Sequence, residues 1–397
     1  MLSWAKKMLN KLSLSLSLSL SSGVSGENRI EFANILRGIA ALIVVFSHYC
    51  GVFWGQRDVV ASFINAFPLA EDIIPTPKYI KMFYTLPFID WGSYGVALFF
   101  IISGFVIPFS CSNKTRLAFF ISRFFRIFPT YIVGFSVSIL AIFLSSVFWN
   151  KPYPYSAYEI FIHYIPGIRD IFWSRNIDGI IWTLEVEIKF YILCIMFKKY
   201  IYSVKIFYIP AVLFIMSLMF HENNFIEVYN RNPILYKILI IFYSSSQYVI
   251  FMFIGVVFNF IYRKNIKNIY GYYIIFVIMI MFCIHGQAGP YTQGIKFISS
   301  YILAVITFYM CFIFKYSFYS SNILKFLSKI SYSLYIIHGI LGYVILRILI
   351  EIGTPVLLAI LSTLCCVLGV ATILNYFIEL PSQKIGKKLA SHFQYSV

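Results

Sequence analysis

Two residues that can bind anions or move protons stand on the first strongly apolar segment of the chain. Arg37 and His48 are eleven positions apart, and apolar or small residues fill almost all of the positions between them. Eleven helical steps of about 100° bring the second residue to within about 20° of the first, roughly 16 Å farther along the axis. The spacing therefore predicts one helix stripe, facing one cavity, with a guanidinium below an imidazole. Ionisable groups inside a membrane span are costly and are functional-site candidates by default.

A second cationic pair, Arg123 and Arg126, borders the third apolar segment. Residues three positions apart share a helix face. Guanidinium groups bind phosphate through two hydrogen bonds at once, so Arg37, Arg123 and Arg126 together could hold a polyphosphate ligand. The alternative is that these arginines anchor the helix to lipid headgroups at the membrane boundary.

Residues 182–191 bring two carboxylates into the fourth apolar segment. Glu185 and Lys189 are four positions apart, which predicts an ion pair between them. Glu187 points about 200° away from Glu185 and has no such partner. It is the better candidate for binding an acceptor hydroxyl or orienting an imidazole, and pairing with a basic residue of another helix is the alternative.

His338 is the second imidazole embedded in an apolar run, at the end of residues 331–338. Such a histidine is either a hydrogen-bonded packing element or a catalyst, and the sequence leaves both interpretations open. No Cys or His spacing is typical of a metal site, and no phosphate-cradling glycine loop, Gly-x-Ser-x-Gly elbow or His-Glu-x-x-His pair occurs. We therefore expect no metal, and the common soluble hydrolases, NTPases and zinc proteases are disfavoured.

The composition requires a membrane to solvate the chain. Of 397 residues, 60% are hydrophobic and 12% are charged, which exceeds what one soluble core can bury. The net charge of +17 comes from basic residues clustered between apolar runs, a pattern that sets membrane topology. We therefore expect membrane lipids as partners and no nucleic acid.

The hydropathy pattern predicts an all-α integral membrane protein of about ten transmembrane helices. Residues 1–32, with a Leu-Ser repeat at 12–21, form a low-complexity segment, residues 33–380 form the membrane domain, and residues 381–397 form a basic tail. The distribution of basic residues favours cytoplasmic positions for both termini. The two long outer connections, 54–93 and 150–179, could form a lid or an acceptor platform. The predicted spans are roughly 33–53, 94–110, 127–149, 180–197, 204–220, 242–262, 271–285, 297–314, 331–350 and 355–378.

Five motifs, in order, resemble the acyltransferase-3 family of bacterial membrane proteins. They occupy residues 36–48, 96–106, 123–126, 182–187 and 331–338, and the similarity extends over about residues 30–380. The resemblance implies a protein of the bacterial inner membrane that moves an acyl group, usually acetyl from cytoplasmic acetyl-CoA, to a sugar hydroxyl.

The family's functional residues map onto this chain one by one. The resemblance assigns catalytic roles to Arg37, His48 and Glu187 and the paired-arginine role to Arg123 and Arg126. The chain departs from the family at two positions, where Asn34 and Ile188 replace acids that relatives often carry. Those departures put in doubt any role of the two acids but not that of the Arg37 and His48 pair.

These observations lead to one functional hypothesis and one rival. In the first, the arginines bind the phosphates of acetyl-CoA, and His48 either acts as general base on a hydroxyl of lipopolysaccharide O-antigen or exopolysaccharide or carries the acetyl group itself. In the rival, the same residues line the path of a transporter or flippase for a lipid-linked glycan, and no bond is made. The sequence predicts neither the glycan nor the oligomeric state.

Overall fold

A computed structural model describes residues 31–112, 114–218, 228, 230–288, 293–315 and 321–393. Every regular element within these ranges is helical, which confirms the predicted all-α fold. Residues 1–30, which make up nearly all of the predicted N-terminal segment, and the last four residues of the predicted tail lie outside the described ranges. The described part of that tail forms a helix that packs on the third long helix.

The first helix, α1, spans Glu31–Ser47 and continues through a π-helical turn, His48–Val52, to Gly55. A second π-helical turn, Asn375–Glu379, joins the last two helices. The remaining helices are α2 (Arg57–Ile64), α3 (Lys78–Tyr84), α4 (Trp91–Ser112), α5 (Arg116–Phe148), α6 (Ala157–His163), α7 (Ile181–Met196), α8 (Tyr208–Leu218), α9 (Pro233–Tyr262), α10 (Asn268–Ala288), α11 (Ile295–Ile313), α12 (Asn322–Ile337), α13 (Ile340–Glu351), α14 (Val356–Leu374) and α15 (Leu380–His392).

Seven helical segments of the described residues are long and apolar enough to cross a membrane, and the bent pair α12 and α13 would make an eighth. The predicted fourth and fifth spans correspond to α7 and α8, which have 16 and 11 residues. The predicted span 331–350 is not one straight helix, because α12 and α13 meet at a bend of 74°. The total of ten spans and the cytoplasmic termini remain predictions.

Glycines let α4 and α9 approach closely at the centre of the bundle. A Cβ atom on Gly104 would lie 1.9 Å from the carbonyl oxygen of Met252, and one on Gly255 would lie 2.1 Å from that of Ile101. Asn259 also donates from Nδ2 to the carbonyl oxygen of Phe105 at 2.8 Å. Close backbone approach through small residues is typical of helix pairs in membranes. It fixes α4, which forms one wall of the site described below.

The end of α1 docks against the bend between α12 and α13. Tyr49 donates a hydrogen bond of 2.9 Å to the carbonyl oxygen of His338. Gly342 leaves space for this tyrosine, since a Cβ atom there would lie 2.0 Å from the hydroxyl oxygen. The contact places the π-helical turn, which begins at His48, directly beside α12 and α13.

The connection between α5 and α7 is tied to α7 by two ion pairs. Arg169 binds Glu185 in a bidentate manner, at 2.8 and 2.7 Å, and Lys189 pairs with Asp170. The predicted pair between Glu185 and Lys189 is therefore wrong. The guanidinium fork matches both carboxylate oxygens, which a lysine one turn away on the same helix does not.

Candidate active site

A cavity of about 770 Å³, which we call the arginine cavity, lies among α1, α4, α5, α7 and α12. Its charged lining residues are Arg37, Arg126 and Glu187, one from each of three helices. Arg123 lies next to this group, with its guanidinium 5.3 Å from the ring centre of Phe119 and 5.5 Å from that of Tyr191. The structure thus brings together the arginines and the carboxylate that the sequence singled out.

The arginine cavity carries an excess of positive charge. Glu187 accepts hydrogen bonds through Oε1 from Ser103, at 2.9 Å, and from Tyr191, at 2.5 Å. No ion pair within the described residues joins Arg37, Arg123 or Arg126 to a carboxylate. Three cations face one carboxylate in a mostly apolar setting, where electrostatic attraction is stronger than in water. Such a site favours an anionic ligand, and the inward position of Arg37 and Arg126 fits this better than an anchor to lipid headgroups.

A second cavity, of about 580 Å³, adjoins the first, and we call it the histidine cavity. His48 lines it together with Gly92, Trp182 and Tyr301. The two cavities share Val96, Ile180 and Tyr335 as common lining residues. The sequence predicted that Arg37 and His48 face one cavity, but each lines a cavity of its own. The two cavities adjoin, and the side chains that they share form the wall between them. Tyr335 is held in this wall by a hydrogen bond of 2.7 Å with the Thr183 hydroxyl.

The imidazole of His48 is held by Tyr343. The tyrosine hydroxyl lies 2.9 Å from His48 Nδ1, and the two rings are parallel within 5°. Glu187, the residue predicted to bind a hydroxyl or orient an imidazole, forms its hydrogen bonds within the arginine cavity instead. When Nδ1–H donates to the tyrosine oxygen, His48 Nε2 keeps the lone pair that a base or a nucleophile needs.

The second candidate histidine lies against the first. The ring centres of His48 and His338 are 4.6 Å apart, and the His338 side chain is fully buried. His338 Nδ1 lies 2.7 Å from the carbonyl oxygen of Tyr335, so Nδ1 carries the proton. Its Nε2 has no hydrogen-bond partner in the described part of the chain. One ring nitrogen of His338 is therefore held by a backbone carbonyl, and the other is a buried hydrogen-bond acceptor beside His48.

Tyr343 is the functional candidate that the sequence did not reveal. It is 295 positions from His48, and no spacing rule links the two residues. The contact arises from the bend between α12 and α13, which turns the start of α13 toward the π-helical turn of α1. A tyrosine five positions after a buried histidine was the one available signal, and such a spacing is not specific.

The fold and the two cavities define a multi-pass membrane protein in which a cavity lined by arginines adjoins a cavity lined by a histidine. A family model described as an acyltransferase domain matches residues 30–376. The chain belongs to this acyltransferase-3 family, which confirms the resemblance read from its motifs.

The chain is also similar to a curated protein. The chain is 32% identical over 113 residues to "Nodulation protein 10" of Rhizobium leguminosarum bv. viciae, a match that covers 25% of this chain and 31% of that protein. The chain thus spans about a third of the length of this relative. No solved structure matches the chain.

Proposed function

We propose that the protein is a membrane O-acetyltransferase that moves an acetyl group from acetyl-CoA to a sugar hydroxyl of a cell-surface glycan, such as lipopolysaccharide O-antigen or exopolysaccharide. Membership in the acyltransferase-3 family supports acyl transfer as the class of reaction. The observation that carries the choice of donor is the arginine cavity with its excess positive charge. Coenzyme A is a polyphosphate thioester, and arginines bind phosphate oxygens through paired hydrogen bonds.

Each side chain has a role in this reaction. Arg37, Arg123 and Arg126 bind the phosphates, and the pantetheine arm extends past the Tyr335 wall toward His48. His48 Nε2 takes the proton of the sugar hydroxyl, and the sugar oxygen attacks the thioester carbonyl carbon. The carbon–sulfur bond then breaks, and the thiolate leaves with the proton that His48 returns. Tyr343 holds the imidazole in position throughout.

A two-step route uses the same residues. His48 Nε2 attacks the thioester first, the carbon–sulfur bond breaks, and coenzyme A leaves as the thiol with the proton that the imidazole gives up. The acetyl-imidazole then passes its acetyl group to the sugar oxygen, and the ring takes up the hydroxyl proton. This route lets the acetyl group cross a membrane while coenzyme A stays on one side. Mass spectrometry of the protein after incubation with acetyl-CoA alone separates the routes, because only the second leaves an acetyl group on His48.

Purified protein in lipid vesicles, given acetyl-labelled acetyl-CoA and the host's own glycans stripped of O-acetyl groups with alkali, tests the function. We expect labelled acetyl on the glycan and an equal amount of free coenzyme A. A transporter or flippase would move the glycan across the bilayer and release no coenzyme A. Glycan movement without acetylation would therefore refute the proposal in favour of that rival.

A further inference from the structure

A third cavity, of about 780 Å³, lies on the other side of the α1 turn that carries His48, and we call it the vestibule. Its lining combines the end of α1 with the connection between α1 and α4, within residues 54–93 of the predicted platform, and Lys296 of α11. The lining residues that matter here are Ser47, Gln56, Phe83, Asp90, Trp91 and Lys296.

Only a thin wall separates the vestibule from the histidine cavity. Ser47 and Trp91 line the vestibule, while the next residues in the chain, His48 and Gly92, line the histidine cavity. A Cβ atom on Gly92 would lie 3.1 Å from Ser47 Oγ, so the Ser47 side chain packs closely against the α4 backbone here. A ligand in the vestibule is therefore one residue away from His48.

Ser47 brings a hydroxyl to the wall of the vestibule. The residue is 8% exposed, and no hydrogen bond joins Ser47 Oγ to another of the described residues. Because this oxygen is not sealed off from the vestibule, a hydroxyl-bearing ligand there can form a hydrogen bond with it.

The other lining groups fit a carbohydrate. Asp90 is exposed, and its Oδ1 accepts a hydrogen bond from the Ser93 amide at 2.6 Å. No hydrogen bond within the described residues involves Oδ2, which is open to a ligand. Trp91 and Phe83 present aromatic surface, which packs against the C–H faces of sugar rings. A few convergent polar groups among aromatic ones are typical of small-molecule sites. The vestibule lacks the arginine cluster of the first cavity, so it suits a neutral polyol better than a polyphosphate.

We propose that the vestibule binds the sugar unit that accepts the acyl group, with the Ser47 hydroxyl and the Asp90 carboxylate as its polar contacts. This inference rests on the proposed function and adds the place of the acceptor. The donor then approaches His48 from the arginine cavity and the acceptor approaches from the opposite side, so the two substrates do not compete for one entrance.

Two conservative variants test the vestibule. Ser47→Ala removes a hydroxyl that forms no hydrogen bond with the described residues, and Asp90→Asn removes a charge but keeps an acceptor for the Ser93 amide, so both should fold. Asp58→Asn, an exposed acid of the same connection that does not line the vestibule, is the matched control. Calorimetry in detergent measures the Kd for acetyl-CoA and, separately, the Kd for de-O-acetylated host lipopolysaccharide and exopolysaccharide.

We expect each vestibule variant to raise the glycan Kd about three- to tenfold, the effect of losing one hydrogen bond. The Kd for acetyl-CoA should stay at the wild-type value, and Asp58→Asn should change neither. A glycan Kd that is unchanged in both variants, or raised equally in Asp58→Asn, would overturn the vestibule assignment. Failure of the proposed function looks different, because the wild type would then not transfer acetyl even when it binds the glycan.

Discussion

At the residue scale, the contact between His48 and Tyr343 determines how the imidazole is presented. The sequence identified His48 from its position on an apolar helix, and the structure adds what holds its Nδ1. Residue type and helical spacing reveal which side chains share a stripe. They do not reveal partners on distant helices. This is why Tyr343 was absent from the predicted site, and why Glu187, predicted to bind a hydroxyl or orient an imidazole, lies with Arg37 and Arg126 instead.

Replacing Tyr343 by Phe removes the hydrogen bond to His48 and keeps the ring. We expect the acetyl-transfer rate to fall about tenfold or more, because an unheld imidazole spends less time in the reactive orientation. The Kd for acetyl-CoA should not change. The matched control is Tyr202→Phe. It removes a hydroxyl that donates a hydrogen bond of 2.7 Å to the carbonyl oxygen of Pro108, and Tyr202 lines none of the three cavities. Equal rates for both variants would show that Tyr343 does not position His48.

His163 gives the folded state a dependence on pH. In α6, Nδ1–H donates to the Glu159 carbonyl at 2.9 Å and Nε2 accepts from the Ile177 amide at 3.2 Å, so both nitrogens are satisfied in the neutral ring. Burial lowers the pKa of His163 to about 4, whereas an exposed histidine has a pKa of about 6.5. The unfolded chain therefore binds the proton first as the pH falls.

The stabilising contribution of neutral His163 is complete above pH 6.5 and is lost as the pH falls toward 4, by at most about 1.4 kcal/mol per pH unit. We expect the unfolding temperature in detergent to fall between pH 7.5 and pH 5, and to fall less steeply in His163→Gln. Identical pH dependence in the two proteins would contradict this account of His163.

At the scale of elements, hydropathy located the helices but not their interruptions. All ten predicted segments are helical in the described residues, yet the bend at Gly339 and the π-helical turn at His48 lie within uniformly apolar sequence. The pairing of Glu185 with Arg169 likewise depends on how a connection folds back onto α7. Contacts between segments far apart in the chain produce all three features, and local periodicity carries no information about them.

The close crossing of α4 and α9 depends on Gly255, because glycine has no Cβ atom. Gly255→Ala would place Cβ 2.1 Å from the Ile101 carbonyl, so the helices must separate. We expect destabilisation of about 1–3 kcal/mol, the usual cost of overpacking. Gly369→Ala is the control, because no atom lies within 4 Å of its Cβ position. Thermal unfolding in detergent compares the two, and equal unfolding temperatures would disprove the close crossing.

At the scale of the whole molecule, three cavities follow one another along α1, from Arg37 to its end. The arginine cavity, the histidine cavity and the vestibule all include α1 residues, and α4 lines all three. The order along α1 was predictable from the spacing of Arg37 and His48. The division into separate chambers was not, because it depends on side chains contributed by α7 and α12.

The predicted topology places both termini in the cytoplasm and the connections 54–93 and 150–179 outside it. A fluorescent protein fused to the C-terminus should then fluoresce, since it folds in the cytoplasm. Alkaline phosphatase inserted into either connection should be active, because it needs an oxidising compartment. Active phosphatase at the C-terminus would reverse the topology and place the arginine cavity on the wrong side for cytoplasmic acetyl-CoA.

The central claim is that the arginine cavity holds the donor and the adjoining His48 carries out the transfer. The most direct test compares His48→Ala with Arg126→Gln in lipid vesicles, with both acetyl-CoA binding and acetyl transfer measured on the same samples. We predict that His48→Ala binds acetyl-CoA with the wild-type Kd and transfers no acetyl group, while Arg126→Gln raises that Kd about tenfold or more. Wild-type transfer by His48→Ala, or unchanged acetyl-CoA binding by Arg126→Gln, would contradict the claim.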